Sequence, residues 1–306
     1  MNAAREAGRS ALALFALATL IWGSTWLVIT WQLGTVAPEA SVAYRFALAA
    51  VLLGVWCTAT GRSLRFPPRV HALLAAQGVL FFGLNYVAVY KAEQHIPSGL
   101  VAVLFSTIVF TNLIGTRMAF GTPITGRALL GAALGVGGVA LLLLPGSGVE
   151  HAARGSAGLG VAFGLAATLL ATGGTLVSMR MQRASLPILE TTTLGMAYGA
   201  LSAALAAWLA GVPFAFDASA RYVASLVYLA LFGSVVAFGA YLTLLKRVGA
   251  GPASYVGVAT PVIAMLLSSL LEHYRWTAAG VAGVALAVAG NVLVLRGRTA
   301  GELRPR

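Results

Sequence analysis

Arg45 interrupts an apolar stretch, Glu39–Ala59, six residues beyond Glu39. A helix rises 1.5 Å per residue, so Arg45 lies roughly 9 Å in from the end of that stretch. An arginine at the centre of an apolar helix costs about 2.5–3.5 kcal/mol on insertion scales, so it needs a compensating role. Two chemistries fit. The long side chain reaches back to the surface and bonds helix-end carbonyls, or its planar fork binds a carboxylate in a cleft between helices.

Aromatic and small polar residues supply the other candidate lining. Trp22 and Trp26 are one helical turn apart and share a face, with Ser24 and Thr25 between them. Tyr86 and Tyr90 repeat the spacing beside Asn85, and Tyr241 and Tyr255 are lesser candidates further on. An aromatic wall packs apolar groups and holds an ammonium by cation–π attraction, worth ~0.5–2 kcal/mol. Trp31 and Tyr90 stand near segment ends and read as interface anchors. Trp22, Trp26 and Tyr86 sit deeper, where a cavity role and simple packing are equally open. Ser106, Thr107, Thr111 and Asn112 form one small polar cluster, and Thr168, Thr172 and Thr175 another, around Gly173-Gly174. Most such hydroxyls bond their own helix carbonyls, and glycines allow close packing. Thr107, Thr111 and Thr172 remain binding candidates. Gly173-Gly174 is a candidate hinge, as is Pro261, which frees the carbonyl of Gly257 and favours a kink.

Acid–base chemistry is poorly provided for. The eight acidic residues are Glu6, Glu39, Glu93, Glu150, Glu190, Asp217, Glu272 and Glu302, and all map to loops or helix ends. The histidines, His71, His95, His151 and His273, do the same. Proton-coupled transport commonly relays protons through an intramembrane Asp, Glu or His, so no dedicated intramembrane relay is expected. Glu272-His273 is the one close acid/base pair in a loop and lacks the partners an active site needs. Cys57 is the single cysteine, which excludes an intrachain disulfide. No phosphate loop, zinc-ligand spacing or lipidation motif stands out, so no metal, cofactor or catalytic residue is expected.

These residues are carried on apolar segments long enough to cross a bilayer. The chain has 306 residues, 59% hydrophobic and 9% charged, against roughly 25% charged in soluble domains. So few charges leave apolar surface that must face lipid. Ten segments approach the ~20 residues a spanning helix needs: Ala11–Trp31, Glu39–Ala59, Val70–Tyr90, Ser98–Thr116, Arg127–Leu144, Gly158–Ser178, Pro187–Leu209, Arg221–Leu242, Gly251–Leu271 and Thr277–Leu295. The first runs on past the length of a signal-peptide core and reads as a retained helix. The net charge of +12 is dispersed between segments, which fits topology rather than nucleic-acid binding. With the N-terminus in the cytoplasm, fifteen basic residues fall inside: Arg5, Arg9, Arg62, Arg65, Arg69, Arg117, Arg127, Arg180, Arg183, Lys246, Arg247, Arg296, Arg298, Arg304 and Arg306. Four fall outside: Lys91, Arg154, Arg221 and Arg275. That bias puts both termini in the cytoplasm.

The chain also repeats itself. A shift of 152 residues carries Gly99 to Gly251, Thr125 to Thr277, Gly131 to Gly283 and Gly138 to Gly290. Five segments per half is an odd number, so the halves are inverted in topology, with a substrate path expected at their interface. The expected organisation is a tail at 1–10, a repeat at 11–148, a second at 149–296 and a tail at 297–306. The small-residue ladders Gly131, Gly135, Gly138 and Gly283, Gly290 read as intramolecular packing ahead of a dimer contact.

Together these features resemble the EamA type of the drug/metabolite transporter superfamily. The matching residues are Trp22-Gly23-Ser24-Thr25-Trp26, Tyr44-Arg45-Phe46, Asn85-Tyr86 and Ile96-Pro97-Ser98-Gly99 in the first half. In the second they are Gly249-Ala250-Gly251-Pro252, Thr260-Pro261 and Glu272. One departure is visible: where Glu272 ends the fourth helix of the second repeat, Phe120 ends that of the first. The resemblance implies a basket of helices 1–4 and 6–9, with helices 5 and 10 peripheral. It also implies export of small metabolites, often amino acids, across a bacterial inner membrane.

The expectation is therefore an all-α integral membrane protein of ten helices, a monomer or homodimer. It would export amphipathic metabolites, aromatic amino acids among them, by alternating access through a central cavity. Multidrug efflux of lipophilic cations suits the same aromatic lining. A phosphate-ester or nucleotide-sugar antiporter needs several cavity cations, and Arg45 is alone at depth. A polytopic enzyme lacks a catalytic cluster.

Overall fold

Apolar runs bounded by proline, glycine and small polar residues fold here into helices. A computed structural model describes residues 2–144 and 153–302, and no strand occurs among them. The helices are α1 (Asn2–Ile29), α2 (Pro38–Ala59), α3 (Pro68–Glu93), α4 (Ser98–Phe120) and α5 (Gly126–Leu142), then α6 (Ala157–Arg183), α7 (Ile188–Leu209), α8 (Ala220–Val248), α9 (Ala250–Leu271) and α10 (Ala278–Glu302). Among the described residues nine helices are long and apolar enough to cross a membrane, and α5, of 17 residues, is the shorter tenth. Each predicted segment thus has its helix. Helices α6 and α8 run past their predicted ends at Ser178 and Leu242, placing Arg180, Arg183, Lys246 and Arg247 in their last turns. Cations there complement the negative end of the helix dipole. Glu150, His151, Arg304 and Arg306 lie outside the described residues.

The repeat is visible in local geometry as well as in sequence. Thr125 caps α5 by accepting from the Ala128 amide at 3.2 Å, and Thr277 caps α10 by accepting from Gly280 at 3.0 Å. Beyond α4, Gly121 takes a left-handed φ of 68°; beyond α9, His273 takes 60°. In both places an amide reaches back six residues, Thr122 to Thr116 and Tyr274 to Ser268, each at 3.4 Å. Each spans one residue more than the six-to-one bond of a Schellman helix end. Helices α3 and α8 each widen into a π-helical stretch, Gly78–Leu84 and Tyr228–Val236. The two stretches end at equivalent places, since Leu84 shifted by 152 is Val236. In α8 the Ser234 hydroxyl donates to the carbonyl of Leu229, five residues back, at 3.1 Å.

Small residues set the closest contacts. A Cβ on Gly138 would meet the Gly283 carbonyl at 2.5 Å, and one on Gly131 would meet that of Gly290 at 2.7 Å. The ladders of α5 and α10 therefore face each other within one chain, as expected. Elsewhere α2 and the π stretch of α3 pack on α7, α1 packs along α8 and α9, and α3 packs along α6. Phe46, Phe82, Tyr90 and Met196 are among the side chains that fill the main core.

The two ends of the bundle differ. Let the near end be where α1 begins and the far end where it finishes. Helix α4 is interrupted at Thr107, dividing it into Ser98–Ser106 and Ile108–Phe120. The far piece packs tightly on α9: a Cβ on Gly99 would meet Met265 Cα and Ser268 Cβ at 2.8 Å. The near piece packs on α6 and makes no comparable contact with α9. The contact between α4 and α9 is therefore concentrated at the far end.

Candidate functional site

Arg45 is buried, at 2% exposure, among α2, α3 and the π stretch of α8. Its guanidinium carbon lies 4.6 Å from the Tyr86 ring centroid and 5.1 Å from that of Phe46. Neither Nε nor Nη1 has a hydrogen-bond partner. The side chain therefore does not snorkel or bond helix-end carbonyls. Two aromatic faces hold it instead, and the Tyr90 phenol lies beside it. Gly233 permits this approach, since a Cβ there would come 3.6 Å from Arg45 Nη2 and 2.9 Å from Thr25 Cγ2. Nε and Nη1 thus remain buried donors without an acceptor.

The aromatic wall forms against the π stretch of α8. Trp22 Nε1 donates to the Gly233 carbonyl at 3.0 Å, and the Trp22 ring packs on Phe238 and Tyr241 at 5.2 and 5.3 Å. The Ser24 hydroxyl pairs with the Tyr228 hydroxyl at 2.7 Å. Thr25 donates to the Trp22 carbonyl at 2.7 Å, and Trp26 packs on Phe105 at 5.4 Å. Trp22 and Ser24 therefore both bond α8, and Thr25 flanks Gly233 opposite Arg45.

The remaining candidates are dispersed. Asn85 is buried and donates to the Phe81 carbonyl at 2.9 Å, leaving Oδ1 without a partner. Thr107 donates to the Leu104 carbonyl at the break in α4. Thr111 and Thr172 join α4 to α6, hydroxyl to hydroxyl, at 2.5 Å. Tyr255 is half-buried on α9. Helix α6 is continuous through Gly173 and Gly174, whose bare faces take Leu80 and Phe81 of the α3 π stretch. Helix α9 is continuous through Pro261. Gly23 of α1 nests beside it, with a hypothetical Cβ 2.6 Å from Ile263.

The acidic residues do fall at helix ends, but there they are mostly buried. Glu39 pairs with Lys91 at 2.7 Å and Glu190 with Arg62 at 3.1 Å. Glu272, at the far end of α9, accepts from the Ser98 amide and hydroxyl at the start of α4 and from Arg154 at 3.2 Å. Phe120, its counterpart at the near end, lies under the Arg183 guanidinium at 3.9 Å. The carboxylate is missing there, and the cation over the ring comes from the end of α6, not from the position equivalent to Arg154. Glu93 is fully buried, and neither carboxyl oxygen has a hydrogen-bond partner. Tyr90 is also a correction: it is no interface anchor, being fully buried with its hydroxyl donating to Gln32 Oε1 at 2.7 Å. A rule based on distance from a segment end fails there because the chain beyond α1 folds back over Tyr90 in a 3₁₀ turn, Thr30–Gln32.

Gln32, Tyr228, Glu93 and the Gly233 carbonyl were missed in sequence. Gln32 carried a usable signal, being a polar residue at the end of an apolar run that continues into a short, tight connection. The Gly233 carbonyl carried none, because a main-chain acceptor has no residue type.

Comparison with known proteins agrees with this architecture. The model of the EamA-like transporter family matches residues 9–144 and again 158–296. A protein of Escherichia coli strain K12, named as the uncharacterized inner membrane transporter YedA, is 30% identical over 88% of this chain and 86% of its own. The probable amino-acid metabolite efflux pump of the same strain is 25% identical over 93% and 95%. Protein PagO of Salmonella typhimurium is 21% identical over 85% and 84%. A solved crystal structure superposes with a TM-score of 0.64 at 22% identity, covering 95% of this chain and 99% of the other, which supports the fold alone. Two copies of a five-helix unit, matched in succession by one family model, place the chain in a multi-pass class of membrane transporter: it belongs to the EamA-like transporter family.

Proposed function

We propose that this transporter exports small amphipathic metabolites bearing a carboxylate, amino acids with apolar or aromatic side chains above all, by alternating access. The observation that carries the reading is Arg45: a buried cation whose Nε and Nη1 have no partner, walled by aromatic rings, beside the contact of α1 with the α8 π stretch. The tight α4–α9 contact closes the far-end exit, which leaves the near end, where α4 packs on α6 rather than α9, as the entry for such a solute. The excess of basic residues in the near-end connections makes that end cytoplasmic, with both termini there, in a bacterial inner membrane. A relative named as an amino-acid metabolite efflux pump agrees with this substrate class. Lipophilic cations fit the rings but meet an unpaired positive charge, which disfavours them. No acid lies at mid-depth, so transport runs without a proton relay across the bilayer and follows the solute gradient, with the membrane potential acting on charged solutes.

Counterflow of labelled amino acids in proteoliposomes tests this. Exchange is expected for carboxylate-bearing amino acids and is expected to be lost when the carboxylate is amidated. Exchange of a lipophilic cation with none of any amino acid would overturn the substrate class.

A further inference from the structure

The far end holds a carboxyl group that the transport path leaves unused. Glu93 is the last residue of α3, is 0% exposed, and has no hydrogen bond to either oxygen. Its neighbours cannot serve it as they stand. Glu39 and Lys91 are engaged with each other. Glu272 is engaged by Ser98 and Arg154 and forms the tie that holds the end of α9 to the start of α4. The charged groups facing Glu93 are Glu272 from α9, Arg154 from the α5–α6 connection and Arg45 from α2. The far piece of α4, Ser98–Ser106, and the far half of α6, residues 157–170, also pack on this end of α3 and carry no ionisable side chain. Tyr90 lies one turn back on the same helix, and His95 follows, stacked on Phe163. A carboxylate ion sealed from water without a hydrogen bond is strongly disfavoured, whereas a neutral carboxylic acid buries no charge.

The geometry points to Glu93 as a proton-binding site that controls the far-end closure. With the proton bound, Arg154 stays on Glu272 and α4 remains tied to α9. When the O–H bond of the Glu93 carboxyl breaks, its proton passes to far-side water. The new carboxylate repels Glu272 and competes with it for Arg154, which loosens the hold of Glu272 on Ser98. The closed form holds one proton more than the open form, so raising the far-side pH favours opening. The proton enters and leaves from one side, so the site regulates the gate without moving charge across the bilayer. The proposal rests on the alternating-access reading, which supplies the open far end, and on its orientation, which makes that end external.

The test is labelling of spheroplasts by a membrane-impermeant maleimide in a Cys57→Ser background. Met265→Cys reports the closure, because Met265 is 1% exposed against Gly99. Thr35→Cys, in the exposed connection before α2, corrects for the pH dependence of the thiol itself and confirms the orientation. The corrected rate is expected to rise with external pH, approaching about tenfold per unit where one proton is released. Added Glu93→Gln should hold it low and flat, and Glu93→Asp should displace the profile. A matching result is an infrared carbonyl band of a neutral acid in the wild type that Glu93→Gln lacks. Labelling that is frequent but independent of pH, or that follows external sodium instead, overturns the proton site and leaves the transport reading intact. If Glu93→Gln does not insert, the wild-type profile alone decides. Absence of Met265→Cys labelling at every pH removes the open far end, and with it both readings.

Discussion

The Arg45 guanidinium carbon sits 4.6 Å from the centre of the Tyr86 ring, and no carboxylate among the described residues forms a salt bridge with it. Aromatic faces stabilise the cation electrostatically but leave Nε and Nη1 without an acceptor. Charge-assisted hydrogen bonds are worth about 1.5–3 kcal/mol each. Arg45→Lys keeps the charge and loses the fork, so apparent affinity in amino-acid counterflow should fall by roughly ten- to a hundredfold, with protein yield preserved. Unchanged affinity would assign Arg45 to packing.

Trp22 ties α1 to a main-chain carbonyl of the α8 π stretch. Trp22→Phe keeps a ring and deletes the donor, leaving a buried acceptor unpaired, at about 1–3 kcal/mol. Thermal unfolding in detergent should drop accordingly, while Trp26→Phe, with no such bond to lose, should change little.

Adjacent glycines on α5 offer a paired test. Gly137 has open space where a Cβ would go, and Gly138 has the Gly283 carbonyl at 2.5 Å. Gly137→Ala should stabilise by about 0.5–1 kcal/mol through helix propensity. Gly138→Ala should force the helices apart and destabilise by about 1–3 kcal/mol. Equal melting temperatures for the two variants would mean that α5 and α10 are not in contact.

His273 holds a left-handed backbone that glycine supplies at the equivalent position, Gly121. A non-glycine residue there costs about 1–2 kcal/mol, partly offset by the larger unfolded entropy of glycine. His273→Gly should therefore raise stability by about 0.5–1 kcal/mol, and Gly121→Ala should lower it by about as much. Both are read as shifts in thermal midpoint.

Phe120→Glu would place a carboxylate beside Arg183 at the near end, as Glu272 stands beside Arg154 at the far end. The new pair would tie α4 to α6, its neighbour in this form, and should stabilise that form by up to about 1 kcal/mol, slowing counterflow severalfold in low salt and less in high salt. A rate insensitive to the substitution would detach the end-of-helix carboxylates from gating.

Sequence made the repeat legible because its landmarks are residues whose types are forced. Thr125 and Thr277 must cap, and Gly138 and Gly283 must be small where backbones touch. Arg45 was legible as an anomaly in an apolar run. The two π stretches were not, because one extra residue in a turn leaves the apolar pattern almost unchanged. Burial at helix ends was equally hidden: Glu93 and Tyr90 look peripheral along the chain, and only the fold-back of Thr30–Gln32 and the approach of α9 enclose them. Helix identity is a local property, whereas enclosure depends on partners distant in sequence.

The seam between α5 and α10 links the two halves backbone to backbone along its length, whichever end of the molecule is sealed. It therefore acts as a spine. Side-chain contacts can slide or exchange during a cycle, but carbonyls set against glycine a few ångströms away cannot separate without losing the whole seam. Any rocking of one half against the other must pivot about this line, which leaves α4 and α9 as the leaves of the hinge.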